Sequence, residues 1–462
     1  MDLPPIHLDR SASRPLAVQL ADALRSATVS GAVKAGDRLP STRELAKLLG
    51  VSRTVTTAAY DQLMAEGWVV GRRGSGTYVV GAPARTHRSA PASPTSTAPA
   101  PAPAPVDLRP GRPCLSVLDE SAWRRAWRAA ADTGPDAAPD PVGSPAYRAA
   151  VVEHLLRHRG LPVDPADVLA TAGTTAAVVE IARTLSPGSR VAVEEPGYRR
   201  AVGALRSAGL DVLPVPVDDG GLVVDALPDR IAAVYCTPAH QFPLGARLAA
   251  TRRVALVERA RAEGFLVIED DYDGELRYDV APLPLLAALG PDVVAHLGTT
   301  SKLLTPTLGA GWLVAPPAVR DAVVNLRERT GTRPALAGQR VFTAFAEHGD
   351  LGRHLRRLRR ELAGRRAVVV EALTARGLAV RGDAAGAHVV VPLADAAAER
   401  AAVAAAAERG VALTGLARYR RTPAVEAGIV LGYAGPPPRE LTRALHVVTE
   451  ILAARPHASR RA

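Results

Sequence analysis

The stretch TTSKLLTPTLGAGW, residues 299–312, places Lys302 among small and apolar neighbours in a chain that uses few lysines and many arginines. A solvated surface lysine would sit as well elsewhere. A lysine that forms a Schiff base needs a desolvated pocket that lowers its pKa, and arginine cannot replace it. Upstream, FLVIEDDYDGELRY (265–278) reads as an apolar strand that ends in acids, with Asp270 and Tyr272 at its end. Acids at a buried strand end are costly unless paired. A carboxylate facing a pyridinium nitrogen meets that need, and a neighbouring tyrosine can hold a phenolate oxygen. The same acids suit Mg²⁺, but no Gly-rich phosphate loop of the nucleotide type accompanies them.

ATAGTTAAVVEIARTL (170–185) sets Gly173, Thr174 and Thr175 directly before a helical pattern. Free amides and the helix dipole at such a turn favour a phosphate, although Gly-Thr turns are also ordinary strand-to-helix corners. EEPGYRR (194–200) turns at Pro196-Gly197 and presents Tyr198, either as a stacker for an aromatic ligand or as a half-buried surface tyrosine. CTPAHQFPLG (236–245) puts His240 and Gln241 after an apolar run. Strand ends of this kind bind ligands in open α/β sheets, so the pair either contacts a ligand or shapes the loop. Phosphate turn, aromatic stacker, strand-end acid and strand-end lysine, in that order, make a pyridoxal-phosphate constellation with Lys302 as its Schiff-base residue. No metal site is expected. Cys114 and Cys236 lie far apart without ligand spacing, which argues against both zinc and a disulfide.

These residues need a scaffold. The chain has 462 residues, room for two or three domains, with 47% hydrophobic and 22% charged residues, as in a soluble protein with a large core. No apolar run reaches the roughly 18–20 residues that span a bilayer. The opening MDLPPIHLDR is neither a signal nor a transit peptide, so a cytoplasmic protein without membrane contact is expected. A formal charge of +11 hints at a polyanionic partner but is weak evidence alone. Composition changes abruptly near Gly81. Residues 81–106 are rich in Pro and Ala and carry almost no large apolar side chain, so they read as an extended linker. It separates a module at 1–80 from a block at 107–462, where helical patterns alternate with apolar runs such as RVAVEEP and IAAVYCTP. That alternation predicts an α/β domain with a mostly parallel central sheet.

In the module, AGDRLPSTRELAKLLG offers Ser41 as N-cap, Glu44 as its capping-box partner and Gly50 as the stop. SRTVTTAAYDQLMAEG follows with Ser52 as the next N-cap. Two short helices joined by a tight turn make a helix-turn-helix. WVVGRRGSGTYVV then predicts a hairpin, or wing, with a basic tip at Arg72 and Arg73. The N-terminal end of the second helix enters the major groove in such modules, where Ser52, Arg53 and Thr54 sit, with Arg53 able to reach base edges and Arg43 and the wing arginines able to hold phosphates. The competing reading is a small helical domain with solvated charges.

Over residues 12–80 this segment resembles the winged helix of GntR-family transcription regulators. TAGTTAA, EEPGYRR, TPAHQFPLG, IEDDYDGELRY and GTTSKLLTPTLGAGWLV resemble, in order, fold-type I aminotransferases, and in particular the MocR subfamily of GntR regulators. The resemblance implies a pyridoxal 5'-phosphate site with Lys302 as Schiff-base lysine, Asp270 on the pyridine nitrogen, Tyr272 on the phenolic oxygen, Tyr198 near the ring and the Gly173-Thr174-Thr175 turn on the phosphate. It also implies a mostly parallel central sheet with a smaller C-terminal α/β subdomain, and a homodimer. Two positions depart from the pattern. The phosphate-gripping arginine seven residues after the lysine is Gly309 here, and the strand GIVLGYAG lacks the usual carboxylate-clamping arginine. Arg418, Arg420 and Arg421 lie just upstream of that strand, with Arg418 as the candidate for an effector carboxylate. The expectation is a regulator that binds an operator in double-stranded DNA and senses an amine, an amino acid or pyridoxal phosphate. The alternatives are an active aminotransferase and a pseudo-enzyme with an empty pocket.

Overall fold

The computed structural model describes residues 4–72, 75–80, 105–136, 138, 140–278, 283–423 and 426–455. The chain divides into two units, Met1–Ala100 and Pro101–Ala462.

In the first unit, helices Leu16–Val29, Thr42–Leu49 and Arg53–Ala65 pack around Leu20, Leu24, Leu45, Tyr60 and Leu63. Ser41 and Glu44 form the reciprocal capping box expected of them, and the helix stops at Gly50 with φ +62°, where a side chain would be strained. Ser52 accepts from the Val55 amide and caps the next helix. The Tyr60 hydroxyl donates to the Pro40 carbonyl at 2.8 Å and ties helix Arg53–Ala65 to the segment entering helix Thr42–Leu49. Strands Arg38–Leu39, Gly76–Val79 and Val69–Arg72 form an antiparallel sheet with Gly76–Val79 in the centre. The wing is therefore present. Arg73, at its tip, lies outside the described residues, whereas the Arg72 guanidinium sits 4.8 Å from the centroid of the Tyr78 ring.

Residues 81–104 of the expected linker also lie outside the described residues. Val106, read from sequence as the last linker residue, instead begins a short strand, Val106–Asp107, parallel to Val411–Ala412. Its apolar side chain is buried, which anchors the start of the second unit.

The second unit is built on an eight-stranded sheet. From one edge the order is Val168–Thr171, Gly311–Val314, Val294–Thr299, Leu266–Asp270, Ala233–Cys236, Arg190–Glu195, Asp211–Asp218 and Gly221–Leu222. The five strands from Val294–Thr299 to Asp211–Asp218 run parallel, while Gly311–Val314 is antiparallel to both neighbours. Helices cover both faces, so strand residues are buried on alternate sides: Val267 and Val294 in one core, Ile268 and Leu297 in the other. A smaller antiparallel sheet of His388–Leu393, Ala427–Gly432 and Thr414–Gly415 forms the C-terminal subdomain with helices Ala396–Glu408 and Pro438–Ala453. Among the described residues no helix is long and apolar enough to cross a membrane.

The parallel strands end at Glu195, Cys236, Asp270 and Thr299, so the loops carrying the candidate residues leave the sheet along one edge. Gly298 lets the Trp312 indole lie flat against its strand, since a Cβ at 298 would fall 2.1 Å from that ring. Gly298→Ala should therefore cost about 1–3 kcal/mol through overpacking, read as a lower urea midpoint; an unchanged midpoint would show that Trp312 has room to move.

Candidate cofactor and effector site

An open cleft of about 1280 Å³ lies at this edge, and Gly173, Thr174, Thr175, Tyr198, Asp270 and Lys302 all line it. Gly173 is the N-cap of helix Thr174–Thr184, with φ +116°, a conformation that favours glycine. The first amides of that helix have no carbonyl within the helix to bond, and they form its positive end. The Thr175 hydroxyl lies 3.2 Å from the Tyr198 hydroxyl. Tyr272 also lines the cleft.

Asp270 ends its strand almost fully buried. Its Oδ2 accepts from the Tyr235 hydroxyl at 2.5 Å, and its Oδ1 has no partner among the described residues. Burial raises its pKa to about 7, the neighbouring carboxylates of Asp271 and Asp273 add to the rise, and hydrogen bonding to Tyr235 and Thr174 opposes it. Lys302 sits three residues beyond Thr299, half-buried, and donates from Nζ to the Gly111 carbonyl at 2.7 Å. Burial lowers its pKa, Asp273 and Asp270 oppose that shift, and Arg200 adds to it. A lysine easily deprotonated, an acid with one oxygen free and a helix N-terminus thus face one cleft. Together they can hold a molecule with an electrophilic carbon, a protonated ring nitrogen and an anionic group.

His240 and Gln241 differ from the expectation of ligand contact, for neither lines the cleft. His240 Nδ1 bonds Asp273 Oδ2 at 2.9 Å and lies 3.1 Å from the Tyr272 hydroxyl, so it supports two residues that do line the cleft. The Gln241 amide donates to Glu194, to the Pro196 carbonyl and to the Phe242 carbonyl, which spends it on holding the loop. Arg418 lines the cleft, whereas Arg421 is paired with Glu195 at 2.5 Å and Arg420 lies 3.6 Å from Glu426. Gly309 has a left-handed backbone, φ +58°, in the turn after Lys302.

Three groups were not singled out from the sequence. Asp273 lines the cleft with its Oδ1 unpartnered among the described residues. Arg200 also lines it, and the buried Glu194, raised to about 7 by burial, accepts from the Thr237 amide and hydroxyl behind it. The DG pair after Tyr272 and the double arginine after Tyr198 were the available signals. Among the described residues no cluster of His, Cys, Asp and Glu could hold a metal ion.

In the first unit, Arg43, Ser52, Arg53 and Thr54 are exposed on the first turns of the two consecutive helices, and Arg72 is exposed on the wing.

Comparison with known proteins settles the family. The bacterial regulatory proteins of the gntR family match residues 16–79, and aminotransferase class I and II matches residues 110–448. The HTH-type pyridoxine biosynthesis transcriptional regulator PdxR of Corynebacterium glutamicum is 36% identical, over 93% of this chain and 94% of its own. The probable rhizopine catabolism regulatory protein MocR of Rhizobium meliloti is 33% identical, over 95% and 94%. This chain is a MocR-type GntR regulator. Its second unit has the fold-type I aminotransferase fold: the kynurenine aminotransferase of Pyrococcus horikoshii superposes with a TM-score of 0.69 at 25% identity, over 76% of this chain and 91% of that one. Members of this fold family bind pyridoxal phosphate. The regulator therefore joins a DNA-binding module to an enzyme-like domain.

The raised Asp270 pKa has a consequence for stability. A carboxyl whose folded-state pKa lies above its ordinary value of 3.8 contributes stability that is present at low pH and lost as pH rises through about 7. Asp270→Asn should therefore gain about 2 kcal/mol relative to the parent between pH 5 and pH 8, measured by urea unfolding of the ligand-free protein. A gap between the two proteins that does not change with pH would show that Asp270 stays ionised in the fold.

Proposed function

We propose that the regulator binds pyridoxal 5'-phosphate in the cleft and senses an amine, an amino acid or the cofactor itself, and that this changes how its winged helix binds an operator in double-stranded DNA. The observation that carries the reading is the buried Asp270 with a free Oδ1 in the same cleft as a desolvated Lys302. Both anomalies are costly in an empty structural core, and a pyridinium and an aldehyde would answer them. When bound, pyridoxal phosphate supplies an aldehyde that condenses with primary amines.

In this reading Asp270 would hold the proton on the ring nitrogen, and Tyr198 would lie near the ring. Tyr272, kept in place by His240, faces the phenolic oxygen, and the amides at Gly173, Thr174 and Thr175 take the phosphate. Lys302 would supply the amine that meets the cofactor's aldehyde, and Arg418 would meet an effector carboxylate. An effector shifts the DNA-binding state only through different affinities for the two states. We assign the operator to Ser52, Arg53 and Thr54 at base edges and to Arg43, Arg72 and Arg73 on phosphates. The protein acts as a homodimer. The reading as an aminotransferase with steady turnover is less favoured: the full-length relatives above are named as regulators, and Gly309 and the strand Ala427–Gly432 bring no arginine to the cleft.

The purified protein with pyridoxal phosphate should absorb in the visible, and borohydride should fix the label on Lys302. Lys302→Ala should lose that band and the effector response but keep DNA binding. A protein that stays colourless with excess cofactor sinks the proposal.

On DNA, Arg53→Ala should relax base preference by about 1–3 kcal/mol per lost bidentate contact. Arg72→Ala should weaken binding to all sequences alike and flatten its salt dependence. Gel-shift titrations on matched and mutated operators separate the two. Unchanged preference in Arg53→Ala would remove the second helix from the base edges.

A further inference from the structure

A second cavity in the same unit, of about 320 Å³, shares no lining residue with the cofactor cleft. It forms where the C-terminal end of helix Pro145–Arg159 meets Arg359 of helix Asp350–Thr374 and the segment of Pro284 and Ala288. Three arginines line it, and their existing contacts decide what it can hold. Arg157 is ion-paired with Glu153. Arg159 is buried and forks onto Asp271 at 2.6 and 2.9 Å, with a further bond to the Gly274 carbonyl at 3.2 Å. Arg359 differs. Its Nε donates to the Glu275 carbonyl at 2.5 Å, but neither terminal nitrogen has a partner among the described residues, and Nη2 is buried. In Arg148, Arg366, Arg420, Arg421 and Arg455 the unpartnered buried nitrogen is Nε; in Arg359 it is a terminal one.

A guanidinium with its Nη edge unengaged is a fork shaped for a carboxylate. The carboxyl group of Glu275 favours the charged form of Arg359 but does not touch it, since its Oε1 is bonded to His154 Nε2 at 2.8 Å. Asp271 and Glu153 are taken by Arg159 and Arg157. One cation is therefore left without a contact, which matches one negative charge. His158, also on the wall, is neutral at pH 7, because burial, His154, Arg359 and Arg157 lower its pKa to about 4. It adds a hydrogen-bonding nitrogen and no charge. The rest of the wall is apolar: Leu156, 52% exposed, with Pro284 and Ala288. An exposed leucine at a cavity mouth has apolar surface left to cover. The volume is at the small end for ligand sites, which run from roughly 300 to 1,000 Å³.

We propose that this cavity binds a small aliphatic monocarboxylate, with the carboxylate forked on Arg359 and the alkyl tail against Leu156, Pro284 and Ala288. The site stands independently of the cofactor reading. It adjoins the cleft through one segment: Arg159 and Arg359 hold Asp271, Gly274 and Glu275, while Tyr272 and Asp273 of the same segment line the cleft.

The test titrates the full-length protein with acetate, butyrate and inorganic phosphate by ligand-observed NMR, in the parent, Arg359→Gln, Leu156→Ala and Ala288→Glu. The parent should bind butyrate more tightly than acetate, by about fourfold for each added methylene, and more tightly than phosphate. Arg359→Gln keeps a donor for the Glu275 carbonyl and should lose tenfold or more for both carboxylates. Leu156→Ala should narrow the gap between butyrate and acetate and leave acetate binding unchanged. Ala288 is exposed, so Ala288→Glu spares the core and should weaken both carboxylates by placing a like charge on the wall. Equal butyrate affinity in parent and Arg359→Gln overturns the proposal and moves the carboxylate to another site. If Arg359→Gln does not fold, unchanged butyrate affinity in Ala288→Glu overturns it instead. Phosphate bound more tightly than butyrate overturns the carboxylate assignment, and a parent that binds neither carboxylate overturns the site. None of these outcomes bears on pyridoxal phosphate in the cleft, which the visible band reads separately.

Discussion

The second unit is organised around a carboxylate at the end of a buried strand. Asp270 has apolar strand before it, a tyrosine hydroxyl on one oxygen and the open cleft before the other. An ionised carboxyl in that position is expensive, and its pKa of about 7 records the expense. The surrounding fold is arranged to tolerate it rather than to cancel it. Tyr235 comes from the neighbouring parallel strand, and the other oxygen of Asp270 has no hydrogen-bond partner among the described residues. A site that is under-satisfied when empty is a site that binding stabilises, which is what a sensor requires.

The parallel sheet is what allows one edge to collect so much chemistry. Strands that run in the same direction end at the same edge, so Asp270, Lys302, Tyr198 and Thr237 converge although they are scattered over more than a hundred residues. Close backbone approach is part of the same design. Gly311 packs against Gly173, where a Cβ at 311 would fall 2.7 Å from the Gly173 Cα, and this brings the antiparallel strand up to the helix N-terminus. The winged helix follows a different logic, set by local capping. Ser41, Glu44 and Ser52 fix where two short helices begin, and the exposed first turns that result carry Arg43, Arg53 and Thr54.

The cleft also shows how polar residues near a site divide between contact and support. His240 and Gln241 sit in the right loop for ligand contact, yet His240 Nδ1 is bonded to Asp273 and the Gln241 amide to Glu194 and loop carbonyls. The arginines divide in the same way: Arg420 and Arg421 meet carboxylates of their own, while Arg200 and Arg418 remain at the cleft.

By itself the sequence determined the elements whose causes are local. Caps, turns and stops are set by a few neighbouring side chains, so the helix starts at Ser41 and Ser52, the wing strands and the strand-to-helix corner at Gly173 were all legible. The order of Gly173, Tyr198, Asp270 and Lys302 was legible too, because each follows its own strand. Tertiary structure decided what depends on contacts between distant segments. The burial of Val106 depends on the strand at Val411, the inward turn of His240 on Asp273, and the free oxygen of Asp270 on where Tyr235 stands. Side-chain direction at a strand end is set by whichever partner is nearest in space, and sequence spacing does not carry that distance.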